Sequence, residues 1–375
     1  MRTDDIYPVI GAAAGAMAAA TLIFGWIAPL TGLIGWVVVA SVLFVTFYAL
    51  LVSVVADLRE VIDRVMTVVL SSAGIILFSA LLFVVMFVLT RGSDALFRLD
   101  FFFSDMEFAG PLDPLDVGGI AHAIVGTLIQ IGIALAITIP LGILTAVYLN
   151  EVGGPFARFV RTVTDAMTAL PSIVAGLFVY SAIILLITGQ RSGFAAAMAI
   201  TVMMLPIIVR ASDVVLRLVA GNLREAAYAL GASRFRTVWS VVLPTARSGL
   251  TTAVILGTAR GIGETSPVLL TSGVTAVMNL NPFHGPMISL PLQVFDFVRS
   301  PEPSMIARGF GTAAVLLLVV LALFAIARVI GGRGPGELTP RQRRAAAQRS
   351  KNDLTRIEKT RKHRLTQGGL AEEER

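Results

Sequence analysis

The sequence predicts an all-α polytopic membrane protein with about eight transmembrane helices, and three observations carry that prediction. Across 375 residues the hydrophobic share is 56% and the mean hydropathy is +0.83, values foreign to a soluble domain of this length. Only 14% of residues are charged, and they gather between long neutral stretches. Many of those stretches reach the ~20 residues that a helix needs to cross a ~30 Å hydrocarbon core.

Residues 6–56 contain no charge, and Pro29 with Gly32 divides them into expected spans at 8–28 and 33–56. Neutral runs at 65–90, 117–150, 166–190 and 192–209 follow. A span at 241–260, interrupted by Arg247 and Arg260, and a last one at 309–327 complete the eight. The uncharged segment 265–295 reads as something other than a span. Asp4 and Asp5 precede the first apolar run, so no cleavable signal peptide is expected.

Lys and Arg mark the cytoplasmic side of such a chain. With eight alternating spans, the connections 57–66 (Arg59, Arg64), 151–165 (Arg158, Arg161) and 210–240 (Arg210, Arg217, Arg224, Arg234, Arg236) share one side. The tail joins them, which places both termini in the cytoplasm. The other side holds five arginines, Arg308 among them, and the acidic segment 91–116 with Asp94, Asp100, Asp105, Glu107, Asp113 and Asp116. The tail, 331–375, opens on Gly331, Gly332, Gly334 and Gly336 and is too polar to fold alone. A dozen of the thirty basic residues lie in it. The formal charge of +6 therefore points to contact with anionic membrane lipid rather than to nucleic acid.

Absences narrow the function. With no cysteine there is no disulfide, thiolate metal site or cysteine nucleophile. The only lysines, Lys351, Lys359 and Lys362, sit in the tail, so the chain has no P-loop of its own. His122, His284 and His363 are scattered, without the spacing of a metal site or of an enzyme embedded in the membrane.

The most informative stretch is Gly221–Pro244. Asn222, three residues ahead of Glu225, reads as a helix N-cap with a reciprocal carboxylate. Ala226 and Ala227 leave a face open to close approach. Gly231 breaks that helix, Ser233 caps a second short one carrying Phe235 and Trp239, and Pro244 begins the next span. The expected product is two short helices at a bend with an exposed docking surface. Downstream, Arg260 and Glu264 are four apart on one helix face and can pair at membrane depth, where ionisable groups face a pathway or one another. Pro267 and the polar run Thr271, Ser272, Gly273 break the helix beyond them. An arginine beside broken backbone suits an oxyanion.

Glu225-Ala226-Ala227, Gly231, Val241, Leu243 and Pro244 resemble the Glu-Ala-Ala loop of ABC importer permeases. Gly126-Thr127, Pro140-Leu141-Gly142, Tyr148-Leu149-Asn150-Glu151, Leu170–Phe178, Met204–Arg210, Gly263-Glu264-Thr265 and Leu290–Phe295 are similar to the PstA-type phosphate permease family. That resemblance covers about 117–330. It implies a five-helix importer permease core (type I, MetI-like) after an N-terminal three-helix region. The resulting divisions are a hairpin at 1–66, a further span and external loop at 67–116, the core at 117–330 with its coupling loop at 221–244, and the tail at 331–375.

The resemblance also implies roles. Glu225, Ala226, Ala227, Gly231, Leu243 and Pro244 couple to a separate ATPase. Arg260, Glu264 and Thr265 line the substrate route, with Arg210 near the cytoplasmic mouth. The implied function is the permease half of an ATP-driven phosphate importer in the bacterial plasma membrane. No cofactor is expected on this chain, ATP being used by a PstB-type ATPase dimer. A PstC-type permease and an extracytoplasmic PstS-type phosphate-binding protein complete the expected partners. Ala220, where the family often has proline, and Asp213, where it has glutamate, depart from the pattern. A permease for sulfate or molybdate and a secondary transporter are the competing readings. The second leaves the Glu-Ala-Ala loop unexplained.

Overall fold

The computed structural model describes residues 6–27 and 32–331, together with residues 345, 347, 348, 350, 353 and 354. The expected break at Pro29 and, apart from Gly331 and those six positions, the polar tail lie outside the described residues. The chain forms two compact units, Met1–Thr90 and Arg91–Arg375.

In the first unit α1 (Ile6–Leu22, prolonged as a π helix to Ile27) packs on α2 (Leu33–Ser53). Ala12, Ala16 and Ala20 recur every fourth residue and are buried. Such a small-residue face lets two apolar helices approach closely where lipid removes the hydrophobic drive. Tyr48 and Val52 of α2 close on Ala12, with Val61, Val65 and Val68 of the next helix around them. That helix, α3 (Leu58–Leu96), starts ahead of residue 66 and continues past Thr90 into the second unit.

The second unit continues with the short α4 (Asp100–Phe103), then α5 (Ala121–Val147, prolonged as a π-helical turn over Tyr148–Val152) and α6 (Gly154–Thr168). Next come α7 (Ser172–Val179, prolonged as a π helix to Thr188) and α8 (Gly193–Arg217). They lead to α9 (Gly221–Ala229), α10 (Arg234–Thr237), α11 (Leu243–Ile262) and α12 (Ser266–Thr271). The last two are α13 (Leu290–Val298) and α14 (Pro303–Gly331). Among the described residues seven helices are long and apolar enough to cross a membrane, or eight if the bent pair α6–α7 counts as one span. The all-α, multi-span class is as the sequence predicts.

Four boundaries differ from expectation. The run at 166–190 is not one continuous helix: α6 ends at Thr168 and the chain turns by 110° into α7. Pro171, just ahead of α7, disfavours helical backbone at Leu170, and α6 carries charge at Arg158, Arg161 and Asp165. The 210–240 connection starts late, because α8 continues to Arg217 with Asp213 and Arg217 paired one turn apart at 2.7 Å. At α9 the Asn222–Glu225 capping box does not form; the helix starts at Gly221 behind Ala220, with no side-chain cap. Ser233 does cap α10, accepting from Arg236 N at 3.4 Å. However, α10 is not a separate short helix. It runs through a π-helical turn (Val238–Val242) into α11, giving one helix over Arg234–Ile262.

The core of this unit forms where α5, α8 and α11 meet. Glycines set the spacing: a Cβ on Gly142 of α5 would lie 2.7 Å from Ile208 of α8, and one on Gly261 of α11 would strike Met204. After α12 the chain re-enters the core, and Met287, Ile288 and Leu290 are buried against α5. Thr127 Oγ1 accepts from Leu290 N at 2.7 Å, and Gln130 Nε2 donates to Met287 O at 2.6 Å. Ser272 Oγ also donates to Met287 O.

Arg308, expected only as one of the outer positive charges, is 0% exposed. Its Nη2 donates to Pro114 O and Val117 O, both at 2.7 Å, and to Asp113 O at 3.3 Å. The guanidinium thus gathers three carbonyls of a loop outside any helix, and fixes that loop to α14.

Candidate functional site

Two places in the second unit hold the residues that the sequence singles out. At one, α11 stops at Ile262 with Gly263 beyond it, and Arg260 and Glu264 meet across one turn. Arg260 Nε lies 2.8 Å from Glu264 Oε1, an ion pair without hydrogen-bond alignment. The two side chains differ in burial: Glu264 is 6% exposed and Arg260 is 55% exposed. The Arg260 side chain makes no hydrogen bond among the described residues and is 55% exposed, so its terminal nitrogens are open to another acceptor. A planar fork with two free donors matches two oxygens of an oxyanion. Beyond it α12 begins behind Thr265, whose carbonyl accepts from Leu269 N at 2.8 Å. The close fit of Gly176 on α7 holds α12 in place, since a Cβ there would lie 2.7 Å from Pro267 Cα.

Arg260, Glu264 and Thr265 are therefore one cluster, and Arg210 is not part of it. Met204 on α8 abuts Gly261, and Arg210 lies six residues farther on, about 9 Å along the helix. Arg210 instead approaches Asp165 of α6 at 3.4 Å, with both side chains well exposed.

The second place is the α9–α10 connection. Gly231 has φ +79°, Ala232 N donates to Ala227 O at 3.0 Å, and Gly231 N donates to Tyr228 O at 2.9 Å. This is a left-handed glycine stop of the Schellman kind, which fixes the angle at which α9 meets α10. Glu225, Ala226, Tyr228, Leu230, Phe235 and Trp239 are exposed, and the Phe235 and Trp239 rings stack with centroids 6.0 Å apart. A fixed, exposed aromatic–aliphatic surface of this kind suits docking. Leu243 serves a different purpose, packing against Ala146, Leu216, Val219 and Val242 beneath the connection, while Pro244 starts α11.

The residues of the chain from 138 to 333 match the model of the binding-protein-dependent transport system inner membrane component family. The chain belongs to that family. It is 38% identical over 273 residues to the phosphate transport system permease protein PstA 1 of Mycobacterium tuberculosis H37Rv, covering 72% of this chain and 88% of that protein. To the PstA protein of Haemophilus influenzae Rd it is 36% identical over 212 residues, covering 56% of this chain and 74% of the relative. Among solved structures, a bacterial ABC transporter involved in the import of alginate matches 73% of this chain and 97% of its own, with 14% identity and a TM-score of 0.48. The chain is thus a multi-span membrane component of a binding-protein-dependent transporter, and a transport subunit by family.

Sequence reasoning missed the residues that tie the connection down. Asn150 Nδ2 donates to Asp213 Oδ1 at 2.7 Å, and Arg224 Nε and Nη2 each donate to Glu151 Oε1 at 3.1 Å. The signal was present in the run Tyr148–Glu151, two polar residues closing an apolar helix. Their partners lie 63 and 73 positions away, beyond the reach of any local pattern.

Proposed function

We propose that this chain is the permease half of an ATP-driven phosphate importer, with Arg260 as the anion contact. The observation that carries the reading is 38% identity to a phosphate transport permease across 72% of the chain, with the Arg260 fork inside the matched family region. An extracytoplasmic phosphate-binding protein of the PstS type delivers the anion. A PstC-type permease encloses the other half of the route. A PstB-type ATPase dimer seats the α9–α10 connection, and its ATP-driven closure switches the route between its two openings. The chain binds no cofactor. Glu264 cancels part of the charge on Arg260, so that the site holds phosphate firmly enough to admit it and loosely enough to release it.

In the test, the chain is purified with its neighbours, the ATPase is looked for in the complex, and labelled phosphate uptake is challenged with sulfate and molybdate. Co-purification and competition by phosphate alone are expected. Competition by sulfate as strong as by phosphate would replace phosphate as the substrate.

Both termini lie in the cytoplasm in this reading, because the basic connections share their side. Single cysteines placed as Ser104→Cys and Ser350→Cys in this cysteine-free chain are expected to react with an impermeant reagent from opposite sides of the membrane. Labelling of both from outside intact cells would break the eight-span arrangement.

Gly231→Val tests the dock. A β-branched residue held at φ +79° costs roughly 1–2 kcal/mol or more, so the connection relaxes to a different angle. Uptake is expected to fall about fivefold or more while the ATPase still hydrolyses ATP, in the range of ordinary coupling energies. Full uptake by Gly231→Val in the assembled complex would remove this connection from the transmission.

A further inference from the structure

The end of α5 reaches two other helices through two consecutive residues. In its π-helical turn, Asn150 bonds Asp213 on α8 and Glu151 bonds Arg224 on α9. An inserted π turn of this kind re-aims side chains at the helix end, which is why such turns cluster at working sites.

Arg224 does more than pair with Glu151. Its Nη1 donates to Val219 O at 2.7 Å and its Nη2 to Leu216 O at 3.0 Å, carbonyls in the last turn of α8 and just beyond it, where the helical ladder runs out. One guanidinium on α9 is therefore bonded to α5 and α8 together. The pair is sheltered, with the Arg224 side chain 20% and the Glu151 side chain 11% exposed. Arg224 directly precedes the exposed Glu225, with the exposed Tyr228 and Leu230 farther along the chain. Leu216 and Val219 also sit in the apolar cluster with Ala146 and Val242, so the bonds rest on packed elements. Only three residues, Leu218 to Ala220, join α8 to α9, and without Arg224 that joint could absorb a displacement of α9. Farther along α8, Met204 and Ile208 abut Gly261 and Gly257 of α11, on the turns that carry Arg260.

We propose that the Glu151–Arg224 pair is the strut that makes α9 and the ends of α5 and α8 move as one body, and that it thereby sets how much phosphate moves per ATP hydrolysed. The pair touches neither anion nor nucleotide; it is a positioning pair, and the proposal rests on the reading of the α9–α10 connection as the ATPase dock. A rigid element shared by two sites, rather than mere intermediacy, is what transmission requires.

The test uses the whole complex in proteoliposomes and measures phosphate taken up and ATP hydrolysed in the same sample. Glu151→Gln keeps the shape and removes the charge, Arg224→Gln removes the fork, and Arg224→Lys keeps charge without reaching all three acceptors. In both Gln variants phosphate per ATP is expected to fall about fivefold or more, with hydrolysis retained and Arg224→Lys between them and the wild type. The double variant is expected to be no worse than Arg224→Gln, because both changes break one interaction. A merely structural role would lower both rates together and leave the ratio unmoved. An unmoved ratio in both single variants, with the ATPase still bound, overturns the strut alone. Failure of the ATPase to co-purify with the wild-type chain overturns the docking reading and the strut with it. Should Arg224→Gln fail to assemble, the near-isosteric Glu151→Gln decides between the same outcomes.

Discussion

Arg260→Ala is expected to reduce phosphate uptake by roughly 30-fold or more, since losing one partner of a charge-assisted contact costs about 2–5 kcal/mol. Its fork has two free nitrogens and a half-exposed side chain, whereas Glu264 is sunk beside it. A scaffold pair would show the opposite economy, with both ends buried and both saturated. Lysine keeps the charge as a point and loses the planar match, so Arg260→Lys is expected to fall between alanine and wild type. Alanine alone also strands the Glu264 carboxylate, and a second variant removes that ambiguity. Exchanging the residues, Arg260→Glu with Glu264→Arg, preserves an ion pair at the same spacing but turns a carboxylate toward the anion. Near-normal uptake by the exchanged protein, with the ATPase still co-purifying, would reduce Arg260 to a helix-end scaffold.

That pair was legible because its two members are one helical turn apart. The same holds for Gly231 and Ser233, whose effects are confined to the next few residues, and for the spans, which are neutral runs of sufficient length. What could not be read depended on partners remote in sequence. Arg308 looks like any outer arginine until its three carbonyls, about 190 positions away, fold over it. Arg224 sits next to the recognisable Glu225, yet its bond to Glu151 spans 73 residues. Asn222 failed as a cap for a different reason: the backbone enters α9 two residues early, and the cap position falls on Ala220, whose methyl cannot accept a hydrogen bond. Composition also hid the turn at Pro171. Ala166 to Thr168 are uncharged, so the end of an amphipathic helix and the start of a span read as one run.

Gly126 belongs with the remote cases, and it carries the largest expected effect on assembly. It stands on α5 where the returning segment Met287–Leu290 crosses, and a Cβ there would overlap the Ile288 carbonyl oxygen and meet Met287 Cγ at 3.2 Å. The neighbouring residues hold that segment: Thr127 accepts from Leu290 N, Gln130 donates to Met287 O, and Ile288 and Leu290 fill the core. Gly126→Val forces the segment outward, since a backbone carbonyl cannot give way as the tip of a side chain can. The displacement loses those two bonds in a buried site, each stranded group costing about 1–3 kcal/mol, in addition to an overpacking cost of similar size. The complex is therefore expected to accumulate poorly and to lose its fold in detergent at a markedly lower temperature, with Gly126→Ala intermediate. Gly132, on the same helix, has nothing within 4 Å of its own Cβ position and supplies the control. Gly132→Ala is expected to be neutral, or stabilising by the roughly 0.5–1 kcal/mol that a helical glycine forfeits. Thermal unfolding of the purified complex, followed by aggregation or by loss of the bound ATPase, measures all three. A Gly126→Val complex that melts with the wild type would mean that the segment is not held against α5, and the anchoring by Thr127 and Gln130 would fall with it.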